Sequence, residues 1–314
     1  MAGTDPLNDS NFYTAINLWF QQCTFDGTTL TENTDSDSSK YNPYINVYAT
    51  YGLISNWRVG AVSQMTSAFN KDNANYHATT KARIPVFNGN ISSWQTGAVV
   101  NMSYMFAGAS AFNQDVSSWD THLVENMYAM FSGATLFNNG QTTNLGEKPF
   151  IRTAGSVWDT VKVINMSYMF YGASAFNQDV SSWDTRAVII MSGMFSGARV
   201  FNQDISSWDT RAVINMSGMF YEATLYNGLG IYKWKLLKPT IYGMFLDSAV
   251  PGKANDSLIC KEWQQKYNYT NAELSEAGLT LYGKTAVAKQ LQYNGGVVTF
   301  TLVKKTEKSG KVFV

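Results

Sequence analysis

The side chains that could do chemistry recur in columns. Aspartate returns at Asp115, Asp179 and Asp204, and in a second series at Asp120, Asp159, Asp184 and Asp209. Acids in step with one another could hold calcium, but each position offers one carboxylate per unit, and Asp equally suits turns, where its side chain accepts backbone N–H groups. Turns are the stronger reading. Methionine forms a further series that takes in every methionine except Met1. A copper site built on thioethers needs His or Cys company, which the repeat does not supply, so these methionines read as packing against rings. Asn88, Asn113, Asn138, Asn177 and Asn202 make another column, suited to satisfying backbone groups in neighbouring turns.

Two histidines are present, His77 and His122, and His122 stands where Arg186 and Arg211 stand in sister units. A nucleophile–His–acid site would need a constellation that the spacing does not offer. There is no phosphate-binding glycine loop, zinc spacing or cofactor fingerprint. Carboxylates in identical repeated settings have no reason to diverge in pKa, as a glycosidase pair must. The reading names no catalytic, cofactor or metal residue, and the chain is not expected to be an enzyme.

What must position these columns is a repeated phrase. FNQDVSSWDTRAVIIMSGMFSGA, residues 176–198, returns 25 residues later as FNQDISSWDTRAVINMSGMFYEA, and earlier copies begin at Phe112 and Phe87. A fixed period of this length is the signature of a stacked repeat. The tryptophan slot recurs at Trp57, Trp94, Trp119, Trp158, Trp183 and Trp208, with a slipped copy at Trp234, giving about seven coils. The repeat core reads Met102, Met105 and Phe106; Met127, Met130 and Phe131; Met166, Met169 and Phe170; Met191, Met194 and Phe195; Met216, Met219 and Phe220. Phe112, Phe176 and Phe201 open the units. Val188, Met191, Met194 and Phe195 fall on one face of a short helix, and Phe176 to Thr185 suits a short strand bounded by turns. One coil cannot bury its own rings, so neighbours must cover it.

The phrase FNQDISSWDT, followed by the Val, Met, Met-Phe pattern, resembles the BspA-like leucine-rich repeat of the mycoplasma-lipoprotein type. That type occurs in bacterial surface proteins, protists, algae and their large DNA viruses. The likeness runs from about Ser55 to Ala249, with Arg58 where an Asp is customary in the first coil. The resemblance implies an interaction or structural repeat, carries over no catalytic residue and names no ligand.

The fold class expected is an α+β repeat solenoid, a leucine-rich-repeat-like stack of strand/short-helix coils. An N-terminal cap over residues 1–50 holds an amphipathic helix and a polar loop. The coils occupy 51–250, with inserts near 71–82 and 139–155. A C-terminal cap over 251–314 holds a helix and a β-hairpin. Candidate contacts are His77, Lys148, Phe150 and Arg152 in the inserts and Phe300 in the terminal strand pair, because solenoid inserts emerge as loops and an exposed strand edge can dock a partner.

Lys+Arg and Asp+Glu both number 23, for zero formal charge, so nothing steers the chain to nucleic acid or anionic lipid. Aromatic residues reach 14%, enough that some should lie in a contact surface. Cys23 and Cys260 sit in opposite end regions and exclude a disulfide framework. The opening MAGTDPLNDSN has no basic start or apolar run, and no stretch approaches a membrane span, so neither an ordinary export signal nor membrane insertion is expected. The partners expected are other proteins, with no nucleic acid and no small molecule. The leading reading is a minor capsid or cement protein of a large virus, the alternatives a cell-surface adhesin and a glycan-binding module.

Overall fold

A computed structural model describes residues 6–37, 46–141, 158–252, 254–280, 288–294 and 297–303. Its centre is a parallel ladder that joins successive sequence units through isolated bridges, from Gln64 to Asn101, Asn126, Asn165, Ile190, Asn215 and Thr240.

The local chain geometry follows from how backbone N–H groups are divided. In the unit around Met191, the N–H groups of Met191, Gly193, Phe195 and Gly197 donate to the next unit at 2.7–3.0 Å. Those of Met194, Ser196 and Ala198 close tight turns within the unit at 3.0–3.3 Å. Every second donor faces a neighbour, so each unit needs the next. Such a path requires left-handed backbone at two points per unit, met here by Gly193 (φ 60°) and Gly197 (φ 70°). Elsewhere the first point is held by Tyr104 and Tyr168, which carry the strain of a side chain there.

This geometry differs from the expected strand/short-helix coil. The methionine segment is a run of turns, because two left-handed residues interrupt any α-helix. The segment from Phe176 to Thr185 is not a strand, because Asn, Asp and Thr side chains hold its turns. The apolar spacing still points its residues inward. The tryptophan, methionine and phenylalanine residues of the repeat pattern, from Trp94 to Phe220, are all buried.

Inside, the rings form columns. Phe106, Phe131, Phe170, Phe195, Phe220 and Phe245 stack unit on unit at 5.4–5.8 Å between centroids. A second column of Phe112, Phe137, Phe176, Phe201 and Tyr226 meets the first at about 3.8–4.0 Å within each unit. Indoles add a third column, with Trp183 over Trp208 at 6.4 Å, and Nε1 of Trp208 donates to the Val180 carbonyl at 3.0 Å.

Both ends of the stack are covered. Helix α1 (Phe12–Gln22) lays Phe12, Ile16, Trp19 and Phe20 over the first unit, with Phe20 5.6 Å from Phe87. Strand β1 (Pro6–Asn8) runs parallel to β4 (Arg58–Ala61), and the short β2 (Thr24–Phe25) and β3 (Leu30–Thr31) form a hairpin. Helix α2 (Val47–Tyr51) follows, and α3 (Ala78–Arg83) lies in the first insert. At the other end α4 (Ala254–Tyr267) sets Trp263 6.2 Å from Phe245. The ladder's last rung falls on the end of α5 (Asn271–Glu276), where Glu276 and Ala277 accept from Gly243 and Phe245 at 2.9 and 2.7 Å. Strands β5 (Ala288–Asn294) and β6 (Val297–Val303) pair antiparallel, with Asn294 opposite Val297.

Candidate interaction face

The polar columns are spent on the fold. Oδ1 of Asp115, Asp179 and Asp204 accepts the N–H two residues on, at 2.8–2.9 Å. Asp120, Asp159, Asp184 and Asp209 do the same for His122, Val161, Arg186 and Arg211. Arg186 and Arg211 also pair with Asp184 and Asp209 at 2.5 Å, and these guanidinium bonds hold both carboxyls below their usual range. The asparagine column joins units: Oδ1 of Asn177 accepts the N–H of Asn202 at 2.9 Å. Thr160 and Thr185 hydroxyls donate to the Asp184 and Asp209 carbonyls of the following units at 2.9 Å. Among the described residues no group of three or more His, Cys, Asp or Glu is placed to hold a metal ion.

The first insert is also structural. Its Tyr76 hydroxyl donates to the Ala68 carbonyl at 2.7 Å, and Asn73 Nδ2 to that of Ser67 at 3.1 Å. Arg83 Nη1 donates to the Phe20 and Cys23 carbonyls, closing the end of α1. His77 is exposed but serves as the N-cap of α3, Nδ1 accepting from Thr79 N at 3.2 Å. The insert therefore caps the open edge of the first unit through Asn73 and Tyr76, while Asp72, Asn75 and His77 stay exposed. Lys148, Phe150 and Arg152 lie outside the described residues, and Phe300 lies in β6, where only the backbone is described.

A different surface carries the exposed apolar groups. The residue before each bridge runs Val100, Glu125, Ile164, Ile189 and Ile214, and successive members are joined N–H to carbonyl at 2.9 Å. Ile164, Ile189 and Ile214 are exposed, the last by 63%. Three and six residues past the bridge on the same turns stand the exposed Tyr104, Tyr168, Tyr171, Tyr221 and Leu246. Tyr104 and Tyr128 meet edge to face at 4.9 Å, and Tyr128 lies 5.8 Å from Tyr168. Hydrogen bonding to Tyr104 raises the Tyr128 phenol, and hydrogen bonding to Glu222 raises that of Tyr221. The face is thus a band of phenols and β-branched side chains with few charges, able to bury apolar area against another macromolecule.

Sequence reasoning passed over this band. The signal was the second apolar residue in Val-Ile pairs such as Val188-Ile189 and Val213-Ile214, since neighbours in sequence cannot both face the core.

The sequence matches the family described as "Mycoplasma protein of unknown function, DUF285" over residues 48–148 and 147–256. The chain belongs to this repeat family, and the match spans the stacked units. No curated protein and no solved structure matches the chain.

Proposed function

We propose that the chain is a non-enzymatic interaction protein: a leucine-rich-repeat-like solenoid of the BspA-like type that acts as a rigid component of a larger protein assembly. The exposed isoleucine–tyrosine band carries this reading. Three β-branched residues on consecutive units, flanked by phenols, present contiguous apolar surface of the kind that marks protein contacts. The ladder and ring columns support rigidity, because every unit shares hydrogen bonds and core with its neighbours.

The assembly we favour is an internally built particle such as the capsid of a large virus, with this chain as a minor or cement component. The second reading is a cell-surface adhesin, which follows from the resemblance of the repeated phrase to repeats of bacterial surface proteins. Gradient fractionation of the native source separates them. Comigration with a large particle at fixed stoichiometry, abolished by Ile189→Arg with Ile214→Arg, is the expected result. Recovery in a membrane or secreted fraction would replace it with the adhesin reading, and a position unchanged by the double substitution would dismiss the band as the contact.

A further inference from the structure

The asparagine ladder is closed at one end and open at the other. The N–H of Asn113, Asn138, Asn177, Asn202 and Asn227 each donates to Oδ1 of the asparagine one unit earlier, at 2.8–3.1 Å. The following glutamine reaches back as well, Gln114 Nε2 donating to the Asn88 carbonyl at 2.9 Å and Gln203 Nε2 to that of Asn177 at 2.9 Å. At the C-terminal end the chain supplies its own substitute: Asn255 Nδ2 of α4 donates to the Asn227 carbonyl at 2.9 Å.

Among the described residues nothing comparable closes the N-terminal end. The Asn88 N–H, which by the repeat geometry points where a preceding asparagine would lie, has no partner among the described residues. The glutamine slot holds Gly89, so no glutamine reaches back from this unit. Asn88 borders a cavity of about 320 Å³, lined also by Trp19, Leu30, Glu32, Ile54, Val86 and Gly89. The volume falls at the lower end of ligand sites, about 300–1,000 Å³. Glu32 Oε1 accepts from Trp19 Nε1 at 2.9 Å and Ile54 N at 2.5 Å, while Oε2 has no hydrogen bond among the described residues.

We propose that this cavity binds an asparagine-bearing turn of a partner protein, the carboxamide oxygen accepting the Asn88 N–H and the carboxamide NH2 donating to Glu32 Oε2. The occupant follows from the repeat itself. Five asparagines in this ladder, Asn88, Asn113, Asn138, Asn177 and Asn202, already place a carboxamide oxygen on the next unit's N–H, and the cavity stands where one more would do the same for Asn88. Selectivity follows from Glu32. An aspartate would bring a second carboxylate against it, and an alanine would leave the donor and the acceptor unmet. The assignment is independent of the isoleucine–tyrosine band.

The test uses the full chain and a fluorescein-labelled, end-blocked peptide FNQDVSSWDT, the sequence of residues 176–185, read by anisotropy. Saturable binding is expected, weakened at least about tenfold when alanine or aspartate replaces the peptide's asparagine. Glu32→Gln should erase the discrimination between the asparagine and aspartate peptides. Val86→Trp, which puts an indole in place of a half-buried lining side chain, should abolish binding while the thermal midpoint is kept. Equal binding of the asparagine and alanine peptides would overturn the proposal, as would undiminished discrimination in Glu32→Gln. Binding of an N-acetylglucosamine trimer in place of the peptide would reassign the cavity to sugar.

Discussion

The backbone N–H of Asn138 donates to Oδ1 of Asn113, one unit earlier in the stack, at 2.8 Å. Asn138 is buried, so water does not replace that bond if it is lost. The same oxygen accepts from Gly140 N at 3.0 Å, and Asn113 Nδ2 donates to the Gln141 carbonyl at 3.1 Å. One side chain therefore ties two units and steadies the entry to the second insert.

Asn113→Ala should accordingly cost about 2 kcal/mol, the scale of leaving a buried donor unmet. Asn113→Asp keeps the acceptor oxygens and should lose less. Urea unfolding of the three proteins at one pH measures both. A loss below about 0.5 kcal/mol for the alanine variant would mean that the ladder contributes little beyond the packing around it.

The left-handed positions make a second, opposite pair of changes. Gly197 lies at φ 70°, and a Cβ there would meet the Gly172 backbone at 3.4 Å, so Gly197→Ala should destabilise by about 1–2 kcal/mol. Glu222 occupies the sister position at φ 55° with a side chain that the conformation disfavours. Glu222→Gly should stabilise by about 0.5 kcal/mol, the released strain exceeding the added freedom of the unfolded chain. Thermal midpoints moving in the same direction for both variants would refute this account of the turns.

The period, the buried Trp, Met and Phe columns and the covering helix at the start could be read from the sequence, because burial leaves a periodic trace. Phe12, Ile16, Trp19 and Phe20 fall on one helical face and are buried together against Phe87 and Phe69. The coil's inner path could not be read. Val188, Met191, Met194 and Phe195 satisfy a helical spacing, and the same inward positions are met by consecutive tight turns once Gly193 and Gly197 adopt positive φ. Inward-facing spacing alone does not distinguish the two paths. Nor could sequence tell that residues 71–82 fold back to cap carbonyls, since Tyr76 and Asn73 find their acceptors only after the first unit is formed. The isoleucine–tyrosine band was hidden for a related reason. Its members stand at positions that are polar in some copies, such as Glu125 in the isoleucine column and Ser132 in the Tyr171 column.

The C-terminal cap gives a pH dependence. Glu273 accepts from Thr270 N at 2.7 Å and Thr270 Oγ1 at 2.8 Å and pairs with Lys238 at 3.1 Å. These bonds, the Thr270 N–H first, hold its carboxyl at about 2 against an ordinary 4.5. The folded value lies below the unfolded one, so the stabilisation is complete above 4.5 and disappears as pH falls towards 2. Wild type and Glu273→Gln should therefore differ in denaturation midpoint at neutral pH and converge in acid. Parallel curves across that window would show that Glu273 does not secure α5.

The two thiols test whether the ends open separately. Cys23 follows α1 and Cys260 lies in α4; both are buried, and burial pushes each thiol up to about 12. Only the thiolate alkylates, so native protein at about pH 8 should react far more slowly than unfolded protein, at a rate set by local opening. In a stack where each unit touches only its neighbours, opening at one end need not reach the other. The Tyr13 hydroxyl bonds the Gln64 and Thr66 carbonyls at 3.1 and 3.0 Å, closing the first unit's unpaired edge. Tyr13→Phe removes those bonds and keeps the ring. It should speed iodoacetamide labelling of Cys23 severalfold and leave Cys260 unchanged, as read by mass spectrometry of the two cysteine peptides. Equal acceleration at both sites would mean that the stack opens only as a whole, and that cooperativity along the ladder outweighs the independence of its caps.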